Sequence, residues 1–320
     1  MLSKKNSKWL WIVFIVLLAI WLIMKYTDRS NSTLKESLIN ADTARIDRIE
    51  ISTSGKQMLS LIRNGKAWKV KSKQGQYKAD IRKIRSLLAA VHSAKPISEV
   101  SNSEKDWSKY QVNDSLGTQI KLYAGSKTKG DLMVGSSAYI PAQNAAQQPY
   151  AGRARGEMVS YVRSADDKNT YTVPGMWRMA FSVKTDDYRS RELFRMDKNK
   201  INQIQFSYSN GQKFKLLKDG KQWKLDGKLT DSTQTVQYLS RLAYAYGSQF
   251  INDFDAKGQN PAYQIEVDEG QRSPVHLQVF TDSAGRKIFH TSTNEGYFDA
   301  SKGDLFKRYF VDKAWFFKHK

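Results

Sequence analysis

Apolar and polar positions between Ile46 and Val70 follow the pattern of short strands separated by tight turns. Ile46, Ile49 and Ile51 supply the apolar side of a first strand. Asn64-Gly65 marks a two-residue hairpin, because both residue types tolerate positive φ. Trp68 follows in the next strand. The same pattern returns between Ile201 and Leu225, aligned without a gap at an offset of 155 (201 − 46), with ten of 25 positions identical. Ile201, Ile204 and Phe206 replace the three isoleucines, Asp219-Gly220 replaces Asn64-Gly65, and Trp223 replaces Trp68. Asn210-Gly211 adds a further turn signal. Each copy is predicted to open with three short antiparallel strands.

A helical period comes next. Ile81, Ile84, Leu87, Leu88 and Val91 recur at i, i+3, i+6, i+7 and i+10, one face of an α-helix. Asp80 is its candidate N-cap. At the same offset stand Val236, Leu239, Leu242, Ala243 and Tyr246, with Asp231 a turn earlier. Tyr110-Gln111-Val112 then matches Tyr263-Gln264-Ile265 at an offset of 153 (263 − 110). Alternating strands follow at Gln119–Tyr123 and His276–Phe280. The expected class is α+β: two tandem repeats, 44–195 and 196–320, each an antiparallel sheet with a helix packed on one face. Trp68, Trp223, Gly65, Gly220, Tyr110 and Tyr263 are its markers. The first copy carries an expected exposed insert, Ser136 to Met158.

Ahead of the repeats, Trp9 to Met24 is an unbroken apolar run. It predicts a single transmembrane anchor over 9–26, extended by Tyr26 and the snorkelling stems of Lys8 and Lys25. A cleaved signal peptide fits less well, because Ala19-Ile20-Trp21 puts tryptophan where cleavage needs a small residue. Lys4, Lys5 and Lys8 favour a cytoplasmic N-terminus over 1–8. The serine-rich stretch 27–43 then serves as a linker, and the expected location is the bacterial inner membrane, with the bulk of the chain in the periplasm.

Charge and composition narrow the chemistry. The formal net charge is +21 and there is no cysteine. The first favours anionic partners; the second excludes disulfides, thiolate metal sites and a cysteine nucleophile. His92, His276, His290 and His319 show no zinc spacing, and no nucleophile elbow, phosphate loop or dinucleotide fingerprint occurs. Ser126-Lys127-Thr128-Lys129 has SxxK spacing but lies in a polar, lysine-rich turn. Asp166-Asp167 and Asp186-Asp187 are adjacent pairs whose side chains diverge on a strand. Trp68 and Trp223 suit core packing better than ligand stacking. Arg153 and Arg155, flanked by glycines, are the candidate anion- or partner-binding pair.

The chain resembles a bacterial domain-of-unknown-function family, number 4340, in its Bacteroidetes-type form. The residues carrying the resemblance are the Trp68 strand, the Asp80 helix, Trp107 to Val112, Leu116-Gly117-Thr118 and Gly135. Tyr161-Val162-Arg163, Tyr171-Thr172-Val173 and Tyr188 to Leu193 continue it. The resemblance implies a membrane-tethered envelope protein with no known catalytic residues, in some cases beside gliding-type ABC transporter components. The expected function is a non-enzymatic binding or scaffold module without cofactor or metal. Its expected partners are the inner membrane, an ABC-type permease or auxiliary subunit, or an anionic envelope polymer, and not nucleic acid. The alternative is an envelope glycan or peptide hydrolase with a site between the repeats.

Overall fold

The computed structural model describes residues 14–19, 21, 34, 37–39, 41–54, 56–73, 75–141, 156–270 and 273–317. In chain order the strands are β1 (Arg48–Thr53), β2 (Lys56–Asn64), β3 (Ala67–Ser72), β4 (Gly75–Lys78), β5 (Ser98–Ser101), β6 (Thr118–Ala124), β7 (Lys127–Ile140), β8 (Glu157–Ser164), β9 (Thr170–Pro174) and β10 (Glu192–Arg195). They continue as β11 (Gln203–Ser207), β12 (Lys213–Asp219), β13 (Gln222–Leu225), β14 (Lys228–Leu229), β15 (Tyr244–Tyr246), β16 (Tyr263–Asp268), β17 (Val275–Thr281), β18 (Lys287–Thr291) and β19 (Asn294–Asp299). The two long helices among the described residues are α1 (Ile81–His92) and α2 (Ser232–Leu242).

Two expectations are corrected here. The α+β class with helix-packed repeats gives way to a fold dominated by large antiparallel sheets. The reason is that period-two burial continues past the strands expected from the sequence: β19, for example, buries Asn294, Gly296 and Phe298 in alternation. The single-pass anchor over 9–26, and the inner-membrane location built on it, are overturned as well. Among the described residues no helix is long and apolar enough to cross a membrane. Of that run, residues 14–19 and Trp21 are described, as helix. The rest of 9–26, apart from Trp21, lies outside the described residues.

The chain divides into two compact units, Met1–Ser60 with Ser86–Val183, and Leu61–Arg85 with Lys184–Lys320. In the first, the strand order is β2-β1-β6-β7-β8-β9-β5. Ile49 pairs with Leu122 and Ile51 with Ile120 in an antiparallel register, and all four are buried. Residues 136–140, expected in an exposed insert, are instead the end of β7. Tyr139 pairs with Met158 and Ile140 with Glu157 on β8.

The second unit holds an eight-stranded sheet in the order β14-β13-β12-β11-β16-β17-β18-β19. The run β12-β11-β16-β17-β18-β19 has the same order as β2-β1-β6-β7-β8-β9 in the first unit. Its core includes Phe206, Phe214, Tyr238, Phe289, Phe298, Tyr309 and Phe316. The antiparallel edge strands β3 and β4 of the nine-stranded sheet and the two-stranded ribbon β10–β15 belong to the same unit. The hairpin is tied to the stretch before β10 by an Ala79–Arg189 bridge. Asp80 N also donates to Tyr188 O at 2.7 Å and Ser190 N to Lys78 O at 2.8 Å.

The register of the duplication differs from the expected one in two places. Asp80 and Asp231 both accept a backbone N–H of the first turn at 2.9 Å, from Arg82 and Gln234. The helices are therefore offset by 151 (231 − 80), not 155. The four residues are lost two from each strand of the second hairpin, β13 being two shorter than β3 and β14 two shorter than β4. The buried face of α2 is Thr235, Tyr238, Leu239 and Leu242, whereas Val236 is exposed and Tyr246 lies on β15. Likewise Ile204 pairs with Val267 and Phe206 with Ile265. Ile265 thus holds the sheet position of Ile120, and not of Val112. Tyr110 closes a short helix, Trp107–Tyr110, while Tyr263 opens β16.

Candidate functional site

The described residue pattern that gathers most chemistry is a cleft of about 320 Å³ in the second unit. It is built where the β3–β4 hairpin, the start of α1 and the β10–β15 ribbon meet. Lys66 sits in the β2–β3 turn, Trp68 on β3, and Lys78 at the end of β4. Arg82 and Arg85 stand three apart on α1 and so share a face. Glu192 and Arg195 come from β10, and Tyr246 from β15.

Residues three apart on a regular strand point to opposite faces. Here a register shift between Glu192 and Phe194 places Glu192 opposite Tyr246 and Arg195 opposite Tyr244. The bulge turns both side chains to one face, a common use of an extra strand residue. Arg195 Nη2 then pairs with Glu192 Oε2 at 2.9 Å. Lys78 Nζ lies 3.9 Å from Glu192 Oε1, and Arg82 Nη2 lies 3.2 Å from Asp80 Oδ2. The guanidinium of Arg82 also stands 5.0 Å from the Tyr246 ring centre and that of Arg195 4.8 Å from Tyr244. The two tyrosine rings are 4.6 Å apart, and Tyr244 Oη donates to Tyr246 Oη at 2.8 Å.

Five cations thus face two carboxylates, Asp80 and Glu192. Both carboxylates are engaged by Arg82, Lys78 and Arg195. Among the described residues the side chains of Lys66 and Arg85 have no protein partner. The electrostatics agree. Burial pushes the Asp80 carboxyl up, but the hydrogen bonds and charge of Arg82 outweigh it and leave the pKa below the usual value. Burial, with the hydrogen bond from Tyr244, pushes Tyr246 up to about 12, so its phenol keeps its proton at neutral pH. A partly enclosed cleft with surplus positive charge concentrates anions, and guanidinium groups offer forked donors to phosphate or carboxylate.

The residues singled out in the sequence fall in several places. Arg153 and Arg155 lie outside the described residues. Trp68 is buried and lines the cleft; Trp223 is half-buried against the core of the second unit. Their backbones have matching roles, since Trp68 O accepts from Ala79 N at 2.9 Å and Trp223 O from Thr230 N at 3.0 Å. Gly65 and Gly220 share a φ of +59° at the first position of their loops. His276 Nδ1 lies 3.7 Å from Glu266, and His290 donates from Nδ1 to Gly296 O at 3.3 Å in one tautomer. Burial lowers the His290 pKa. Asp186 is held by Arg189 at 2.9 Å, and Tyr171 Oη donates to Asp167 at 3.3 Å. Among the described residues no group of three or more His, Asp or Glu could hold a metal ion. Lys66, Lys78, Arg82, Arg85, Arg195, Tyr244 and Tyr246 were not visible as a site in the sequence. Spread over four segments, they form no run of like charge. The only local signal is the Arg82–Arg85 spacing on the polar face of the helix.

The model of a family described as a domain of unknown function (DUF4340) matches residues 68–265. That span holds every cleft-lining residue except Lys66 and Ala67. No curated protein matches the chain, and no solved structure does.

Proposed function

This chain belongs to the DUF4340 family, and on that premise we propose that its second unit is a non-enzymatic binding module for a small anionic group. One observation carries the reading. Lys66 and Arg85 line a cleft in which the carboxylates are already engaged by other cations, so their charge is free for a ligand. Arg82 and Arg195, paired with their acidic partners and set against the tyrosine rings, form the wall of the site. Lys66 and Arg85 supply the net attraction.

Isothermal titration at low ionic strength tests this with inorganic phosphate, glucuronate and, as the neutral counterpart, glucose. Saturable binding of an anion, without binding of glucose, is expected. In the double variant Lys66→Ala/Arg85→Ala the affinity should fall by roughly tenfold or more, the factor that corresponds to about 1.4 kcal/mol. Equal affinity in the double variant and the unaltered protein would overturn the assignment, as would the absence of anion binding in the latter.

A further inference from the structure

A second concavity adjoins the cleft. Its volume is about 490 Å³, and it is lined by Arg241, Tyr244, Asp304, Lys307, Arg308 and Tyr309. Tyr244 belongs to this concavity and Tyr246 to the cleft. The two rings are in contact and their hydroxyls are hydrogen-bonded, so the two hollows meet at one tyrosine pair. The Arg241 guanidinium stands 5.2 Å from the ring centre of Trp315. The pairs Arg82–Tyr246, Arg195–Tyr244 and Arg241–Trp315 all belong to this unit. Lys307 is exposed, and neither it nor Arg241 has an ion pair with a carboxylate among the described residues.

We infer that the two hollows form one track for a linear acidic glycan, whose successive charged groups are taken by Lys66 and Arg85 at one end and by Arg241 and Lys307 at the other. The inference rests on the anion-binding reading above and names its ligand class. A second hollow with its own surplus of cations, beyond one tyrosine pair from the first, fits a repeating ligand better than a lone anion. Each hollow also contains carboxylates, Asp80 and Glu192 in one and Asp304 in the other. Their remaining lone pairs can accept hydrogen bonds from sugar hydroxyls, donors that a polyphosphate or DNA backbone does not offer. A polyphosphate or nucleic-acid strand is therefore the poorer fit. Occupying two linked subsites with one chain raises affinity without new kinds of contact, because the second contact is made at high effective concentration.

Fluorescence anisotropy with labelled oligogalacturonates tests the track on the full chain. The dodecamer should bind at least tenfold more tightly than the dimer. Lys307→Ala should shrink that ratio, and Arg241→Ala/Lys307→Ala should abolish it, with dimer affinity unchanged in both. Lys66→Ala/Arg85→Ala should instead weaken both ligands. Equal affinity for dimer and dodecamer, or an undiminished length dependence in the Lys307 variant, would overturn the track. Polyphosphate or single-stranded DNA bound as tightly as the dodecamer would overturn the glycan assignment. A dimer that binds normally while length has no effect leaves the single-cleft function standing; a dimer that does not bind removes both. Loss of the native circular-dichroism signal in the Arg241 variant would move the test to Lys307→Ala alone, which carries the same criterion.

Discussion

At the residue scale, several of the side chains that carry the family resemblance hold the backbone in place. Arg163 is buried. Its Nε donates to Val112 O at 3.2 Å and its Nη1 to the carbonyls of Ser164, Ala165 and Asp167. The guanidinium also lies 3.8 Å from the centre of the Trp107 ring. Burial lowers its pKa, and the carbonyl oxygens replace the hydration that it loses. Gly135 completes the arrangement, because a Cβ there would stand 2.0 Å from Tyr110 O and 2.9 Å from the Val112 side chain. Gly135→Ala should cost about 1–3 kcal/mol or more, the range for overfilling a packed site. A urea titration followed by circular dichroism checks it; an unchanged midpoint would show that the Trp107–Val112 segment is free to move away. In the other unit, buried Asn294 donates from Nδ2 to Ser190 O at 2.9 Å and to Glu192 O at 2.8 Å, which fixes the strand that presents Glu192. Asn294→Ala leaves these carbonyls without that donor. It should cost about 1–3 kcal/mol and weaken anion binding along with stability, whereas Lys66→Ala/Arg85→Ala should weaken binding alone. Thermal melts and phosphate titrations of the two variants separate the cases.

At the element scale, the two copies show what a sequence reveals and what it conceals. Turns and caps are local chemistry and so are legible. Gly65 and Gly220 have the positive φ that a two-residue hairpin loop needs, and Asp231 satisfies a first-turn N–H of α2. Asp231→Ala should therefore cost about 1 kcal/mol, read as a lower urea midpoint, and no change there would mean that the end of α2 is held by packing alone. The helix register was concealed, because a shift of four residues is close to one turn of 3.6 and leaves the apolar stripe almost in phase. Only the cap aspartates, 151 residues apart, reveal the slip. The strand equivalence misled for a similar reason: Tyr110-Gln111-Val112 resembles β16 in letters, yet β6 holds that place in the sheet. The balance of strand over helix is harder to read: Gly125-Ser126 marks the β6–β7 turn, but β8–β9 and β18–β19 are joined without an Asn-Gly or Asp-Gly pair. As for the site, Trp68, Asp80 and Glu192 stood among the family-like positions, but the cations around them are brought together only by the folded hairpin, helix and ribbon.

At the scale of the whole molecule, charge governs both stability and binding. In the second unit Asp80, Asp219, Asp226, Asp282 and Asp299 all have pKa values below the ordinary 3.8. Hydrogen bonds from Lys224, Lys313 and Arg286 dominate for Asp219, Asp226 and Asp282. For Asp80 and Asp299 burial opposes the shift, and Arg82 and Ser301 outweigh it. A carboxyl depressed in the folded state stabilises it above the unfolded value and loses that contribution as pH falls through the folded one. The urea midpoint should therefore drop between about pH 4 and pH 2, and Asp226→Asn should flatten part of the fall; a midpoint constant over that range would contradict the role of these pairs.

The anion cleft itself is reached most directly by hydrogen–deuterium exchange of the full chain with and without a saturating galacturonate oligomer. Slowed exchange should be concentrated at Lys66–Arg85, at Ser190–Arg195 and at Tyr244–Tyr246. Protection confined to other segments, or none at a concentration that saturates binding, would contradict the placement of the site in the second unit.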